Sequence, residues 1–148
     1  MTEPTYSPIH FRAEELLPKE LYTLLGRGGL NVFEEFALKG LDQLRAYCGF
    51  PILVNDWHKG GKFNNSGFRV VRLKPPVSAI NSVHKYGRAF DVKCKNITDF
   101  NRMVEVVKEV GHIFGISRVE ALEVTCPRYY LHIEFEHKMC PKIYYFNP

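Results

Sequence analysis

Apolar residues recur at helical spacing from Phe11 to Cys48, and the pattern then breaks at Gly49-Phe50-Pro51. In FRAEELLPKELYTLLGRGG, Leu16, Leu17, Leu21, Leu24 and Leu25 mark a helical face. Pro18 splits that stretch into two short pieces or opens the second at its first turn, because proline lacks an N–H and fixes φ. Gly26, Gly28 and Gly29 stop it. Asn31 is the expected N-cap of NVFEEFALKGLDQLRAYCG, where Val32, Phe33, Phe36, Leu38, Leu41 and Leu44 recur at helical spacing. Gly49 and Pro51 end that helix.

Short apolar runs follow, punctuated by glycine, proline and asparagine. PILVND reads as a buried strand ended by Asn55-Asp56, and WHKGGKFNNSGF as a long surface loop. SGFRVVRL is a possible strand, KPPVSAINS a loop and RAFDVKC a strand. Thr98 or Asp99 is the expected cap of FNRMVEVVKEVGHIF, an amphipathic helix ending near Gly115. RVEALEV and YYLHIEF read as two strands whose short loop, Thr125-Cys126-Pro127-Arg128, favours an antiparallel hairpin, with KIYYF as a final edge strand. Helices followed by strands with one inserted helix make an α+β fold, its N-terminal helices packed on a small, mainly antiparallel sheet.

The chain has 148 residues, of which 45% are hydrophobic. That length fits one domain over residues 1–148, and that apolar fraction excludes a wholly disordered chain. No apolar run reaches the roughly 18–20 residues that span a bilayer, and no secretory signal pattern opens the sequence, so no membrane insertion is expected and the cytoplasm is the expected site of synthesis. Cys48, Cys94, Cys126 and Cys140 are widely spaced, which favours free thiols over a thiolate metal site. The net charge of +4 is spread along the chain rather than gathered in a patch, so no nucleic-acid partner is expected.

Chemistry concentrates in SVHKYGRAFDV, residues 82–92. A strand over 88–93 entered through a turn at Gly87 lets His84 fold back towards Asp91, with the small residues Gly87 and Ala89 giving room. An imidazole and a carboxylate make two of the three protein ligands usual at a catalytic zinc. His132, in YYLHIEF, is the best third: it projects away from Leu131 and Ile133, on the face of Tyr130 and Glu134. A lone histidine between apolar neighbours is more often an ordinary core residue, and spacing alone leaves that reading standing.

The series Ser82-x-His84-x-x-Gly87-x-Ala89-x-Asp91, followed about forty residues later by a strand containing His-Ile-Glu, resembles the zinc D-Ala-D-Ala carboxypeptidase and L-Ala-D-Glu endopeptidase family. That family includes bacteriophage endolysins and shares its fold with the signalling domain of hedgehog. NDWHKGGKFNNSGFR, with Ser66-Gly67-Phe68-Arg69, is similar to the segment before the motif in a phage-encoded branch, and SRVE and the closing FNP fit that branch. The likeness covers most of residues 50–148 and, loosely, FRAEELL.

The resemblance implies Zn²⁺ held by His84, Asp91 and His132, with Arg69 stabilising the oxyanion of the scissile carbonyl. As an ordinary surface arginine, Arg69 would have no such part. Ser82 matches the motif serine, which fixes the loop or meets substrate, and Tyr130 joins Trp57, Phe63, Phe68 and Tyr86 as candidate walls of a substrate groove or members of the core. The departure is at the general base: many members carry a glutamate three residues before the last histidine ligand, where this chain has Tyr129. A four-residue loop pairs Glu123 with Tyr130, on the face of His132. A one-residue slip instead sets Glu120 across from His132, and the SRVE likeness favours Glu120. Glu134 is a third choice, or a group behind the ligands. The implied activity is hydrolysis of an amide bond in the peptide stem of bacterial peptidoglycan, at the cell wall or from within a virion. The alternative is a non-catalytic virion component that keeps the fold and binds wall peptides or other virion proteins.

Overall fold

The computed structural model describes residues 2–70, 81–120, 130–137 and 142–146. Pro18 divides the first helical stretch into α1 (Ala13–Leu16) and α2 (Lys19–Leu25). It occupies the N-cap of α2 at φ −66°, where a missing N–H costs nothing, and its carbonyl accepts from Leu21 and Tyr22. A 3₁₀ segment, Gly26–Val32, then carries the chain to α3 (Glu35–Cys48). Asn31 does not cap α3, because the 3₁₀ turns absorb it and Phe33 is extended. Its side chain instead accepts from the Thr5 amide and donates to the Glu3 carbonyl, fastening the N-terminal arm.

The sheet contains β1 (Ala89–Lys93), β2 (Ile116–Glu120), β3 (Tyr130–Phe135) and β4 (Tyr144–Phe146), in the order β1-β3-β2-β4. β3 pairs antiparallel with both β1 and β2, whereas the edge strand β4 runs parallel to β2. The fold is therefore α+β with a mixed sheet, antiparallel in two of the three pairings among the described residues. α4 (Ile97–Val110) connects β1 to β2. Its N-cap is Asn96 rather than Thr98 or Asp99: the Asn96 side chain accepts from the Asp99 amide, leaving the Asp99 carboxylate in the first turn, where the helix dipole favours it.

PILVND does not form a full strand. Leu53 makes a single antiparallel bridge to Lys93, and Asn55 then turns away because its amide donates to Glu15 and its side chain to the Leu17 carbonyl. Residues 66–70 of SGFRVVRL are likewise irregular, and the rest of that run lies outside the described residues.

Strand alternation sorts the two faces of the sheet. Phe90, Val92, Val119, Leu131, Ile133 and Phe135 are buried in one cluster with Leu38, Leu41 and Leu44 of α3 and Phe100, Met103, Val106 and Val107 of α4. Each such side chain contributes about 1.5–3 kcal/mol by leaving water. A Cβ at Gly40 would lie 2.3 Å from the Phe114 carbonyl and 2.5 Å from the Phe135 ring, so only glycine lets α3 approach this closely. The opposite face carries Asp91, His132 and Glu134 and is covered by the irregular segment around residues 53–69.

Candidate metal centre

The β1–β3 register sets Asp91 opposite His132, flanked by Ala89 opposite Glu134 and Lys93 opposite Tyr130. Partners across an antiparallel pair project to the same side, so the carboxylate and the imidazole meet by construction. His84 arrives on a separate 3₁₀ turn, Val83–Tyr86. Gly87 closes that turn at φ 67°, a left-handed conformation, and a Cβ there would fall 2.3 Å from the Val32 carbonyl. The Gly87 carbonyl accepts from the Glu34 amide, which ties the turn to the start of α3.

His84 is thus folded back over β1, as the local spacing predicts. Its Nε2 lies 3.2 Å from Asp91 Oδ1 and 3.1 Å from His132 Nδ1, and His132 Nδ1 lies 2.8 Å from Asp91 Oδ1. Ligand atoms around a tetrahedral zinc, with bonds of about 2.0–2.1 Å, stand about 3.3 Å apart. The triangle has the ligand types and nearly the spacing for such an ion. This buried group could hold a metal ion.

The far nitrogens of both rings are anchored. His84 Nδ1 donates to the Gly67 carbonyl at 2.7 Å, which leaves Nε2 as the lone pair aimed at the cluster. His132 Nε2 donates to Glu134 Oε1 at 3.2 Å, and Arg118 pairs with the second Glu134 oxygen at 3.2 Å. Glu134 is therefore behind His132, on the side away from the cluster, as is usual for carboxylates that orient metal-ligating histidines. Arg69 donates from Nη2 to Asp91 Oδ2 at 2.7 Å and from Nε to the Asn65 carbonyl at 2.8 Å, which puts a fixed cation at the rim of the group.

Burial disfavours charge on His84 and lowers its pKa, against the pull of Asp91. Burial works in the same sense on His132, but hydrogen bonds to Asp91 and Glu134 outweigh it and push its pKa up to about 9. For Asp91, burial opposes ionisation, yet the charges and hydrogen bonds of His84 and His132 hold its carboxyl well below the usual range. Metal binding displaces protons from ligands of this kind.

Glu120 ends β2. The β2–β3 pairing, offset by an irregularity between Ile116 and Arg118, ends at Val119↔Ile133, one residue short of Glu120 and His132. The Glu120 side chain makes no hydrogen bond or ion pair among the described residues, and Glu120 lines a 280 Å³ cleft with Val104, Val107 and Lys108 on the α4 side. Glu123 and Tyr129 lie outside the described residues, as do Cys126 and Cys140. Ser82 opens the His84 turn through its backbone, its carbonyl accepting from Lys85 at 2.9 Å, and Tyr130 starts β3.

Of the other groove candidates, Trp57 donates its indole N–H to the Leu17 carbonyl and packs on Tyr22, and Phe68 packs on Phe33. Both serve the packing of the N-terminal half. Tyr86 is exposed. His10 pairs with Asp42 and His137 packs on Phe36, far from any ligand role. Cys48 and Cys94 are free thiols.

Lys93 escapes a sequence reading that treats it as an ordinary strand residue. It is 7% exposed, and burial lowers its pKa to about 8 despite the nearby Asp91 and Asp56. The available signal is its place two residues after Asp91, which by strand alternation puts it on the same face.

No family model, no curated protein and no solved structure matches this chain. No helix among the described residues is long and apolar enough to cross a membrane.

Proposed function

We propose that the chain is a zinc-dependent peptidase that hydrolyses an amide bond in the peptide stem of bacterial peptidoglycan. The observation that carries the reading is the convergence of His84 Nε2, Asp91 Oδ1 and His132 Nδ1 within 3.2 Å of one another, with Arg69 on the second Asp91 oxygen. The resemblance of Ser82-x-His84-x-x-Gly87-x-Ala89-x-Asp91 and Ser66-Gly67-Phe68-Arg69 to a phage-encoded peptidase branch supports the substrate class.

Zinc held by His84, Asp91 and His132 would supply Lewis acidity, polarising the scissile carbonyl and making water a better nucleophile at neutral pH. His84 and His132 are oriented for it by Gly67 and Glu134. The Arg69 guanidinium, held at Asp91 Oδ2, meets negative charge as it develops on the carbonyl oxygen in this reading. Glu120 or Glu123 takes the proton of the attacking water and returns it to the leaving amine. The enzyme acts at the cell wall, delivered through a lysis pore or within a phage virion.

A second reading is a virion component that keeps the fold and binds wall peptides or other virion proteins without cutting. It is favoured by the base: among the described residues no hydrogen bond joins Glu120 to the cluster, and Glu134 is committed to His132 Nε2. The test is to quantify bound metal and then assay release of stem-peptide fragments from purified peptidoglycan. Zinc at one per chain, with fragments released by wild type and lost in His84→Ala and Asp91→Asn, is the expected result. Digestion undiminished in both variants overturns the peptidase reading, and bound zinc with no digestion of any wall preparation favours the second.

A further inference from the structure

We propose that Lys93 is a positioning residue whose buried ammonium holds residues 65–69 against the metal group, and through them sets Arg69, His84 and Asp91. The inference rests on the reading of His84, Asp91 and His132 as a zinc site.

Residues 65–69 form no helix or strand, yet they contact two of the three ligands. The Gly67 carbonyl accepts from His84 Nδ1 at 2.7 Å, and the Arg69 amide donates to the His84 carbonyl at 3.2 Å. The Ser66 carbonyl accepts from the Asp91 amide at 2.7 Å, and the Arg69 side chain reaches Asp91 Oδ2. Irregular backbone keeps one geometry only where specific bonds fix it. Two side chains do so from below. Asn55 accepts from the Ser66 amide at 3.0 Å, and Lys93 Nζ donates to Ser66 Oγ at 2.8 Å.

Lys93 Nζ also donates to the Val54 carbonyl at 2.9 Å and the Asp91 carbonyl at 3.0 Å, so all three ammonium protons are used. It sits 4.4 Å from the centre of the Phe63 ring, where the ring face attracts a cation. One head group thus joins three chain segments: the 53–54 bridge, the irregular 65–69 segment and β1. An apolar side chain of equal length would fill the same volume and leave the Val54 carbonyl and the Ser66 hydroxyl without this donor. Burying a cation is costly unless it is fully paired, and here its pairing is spent on the backbone that carries the site. None of the Lys93 hydrogen bonds goes to a ligand side chain, so it acts through Ser66 and the Asp91 backbone.

The experiment is a double-substitution cycle of Lys93→Met and Arg69→Ala on the full chain, read by zinc affinity in competition with a chromophoric chelator. Thermal melting of each variant establishes that it is folded. Lys93→Met is expected to weaken zinc binding about tenfold or more, the size of effect seen when groups behind metal ligands are lost. Arg69→Ala is expected to cost much less in the Lys93→Met background than in wild type, because both act on the same segment. Unchanged zinc affinity in a folded Lys93→Met, or two losses that simply multiply, overturns the proposal. Should Lys93→Met not fold, Ser66→Ala removes the shared bond while keeping the lysine; it is expected to weaken zinc in the same direction, and no change overturns the proposal. The readout does not depend on hydrolysis: wild type that binds zinc but digests no wall refutes the peptidase reading alone, whereas a failed cycle in an active enzyme refutes only the role of Lys93. Wild type that binds no zinc overturns both.

Discussion

Asp91 and His132 stand opposite each other on β1 and β3, with Oδ1 2.8 Å from Nδ1. Backbone register, rather than a mobile loop, therefore sets the distance between two of the three prospective ligands. Loops contribute the third ligand, His84, and the arginine beside it. A site divided in this way should bind metal without large rearrangement of the sheet.

Metal should stabilise the fold by mass action. An ion at a hundred times its Kd that binds only the folded state adds about 2.7 kcal/mol. Thermal melting with and without added zinc checks this: the midpoint is expected to rise with zinc and to return when a chelator is added. Asp91→Asn should abolish the shift, because it removes the charge that makes the triangle a cation site and leaves two imidazoles.

Glu134 should matter for metal affinity without being a ligand. Glu134→Ala removes the acceptor from His132 Nε2 and the partner of Arg118, and is expected to weaken zinc binding about 10–100-fold. Arg118→Ala, which leaves the carboxylate in place, should cost less. Equal zinc affinity in wild type and Glu134→Ala, by chelator competition, would show that His132 is oriented by packing alone.

Gly87→Ala should destabilise the chain more than Gly49→Ala. Both residues have left-handed φ, 67° and 74°, which costs a residue with a Cβ about 1–2 kcal/mol. At Gly49 a Cβ meets nothing within 4 Å, whereas at Gly87 it collides with the Val32 carbonyl and the Phe33 backbone. Urea midpoints measure the difference. Zinc affinity should fall only in Gly87→Ala, since only that turn carries His84.

The N-terminal arm should release in acid. The buried Asp42 carboxylate accepts from the Ile9 and His10 amides and from the Tyr6 hydroxyl. Burial alone would raise its pKa, but those bonds, led by the two amides, outweigh it and hold the pKa below the usual 3.8. A carboxyl depressed on folding contributes stability that is present above its unfolded pKa and lost as pH falls through the folded one. Asp42→Asn should therefore flatten the acid side of the stability curve below roughly pH 4. Asp42→Ala is expected to cost about 1–3 kcal/mol at neutral pH, by leaving buried donors unmade. Hydrogen exchange at the Ile9 and His10 amides reports the release directly. At the alkaline end, burial and Asp42 push Tyr6 up to about 12, so its contribution is complete below about pH 10 and fades as pH rises through about 12.

Local rules read much of this protein from its sequence. Helical spacing and Pro18 located α1, α2 and α3, and period-two alternation separated the core residues Phe90, Val92, Leu131 and Ile133 from Asp91 and His132. The turn at Gly87 that returns His84 towards Asp91 was legible because all three residues lie within one short segment. These features depend on neighbours a few residues apart, so spacing suffices to expose them. His132 was legible as a partner of His84 and Asp91 from its strand face and the motif resemblance, whereas most other pairings across long separations needed the tertiary structure. PILVND has the composition of a strand, yet Asn55 is drawn off by Glu15 and Leu17 of the first helical region, and one bridge to Lys93 survives. Asn31 has the chemistry of a helix cap and instead binds the N-terminal arm. The pairing of β2 with β3, which aligns Val119 with Ile133 after an irregularity between Ile116 and Arg118, is set by contacts of this kind, and the loop at 125–128 lies outside the described residues. Arg69, Glu134 and Lys93 take their roles only where strands and loops converge, since a hydrogen bond is made by distance in space and leaves no periodic trace in the chain.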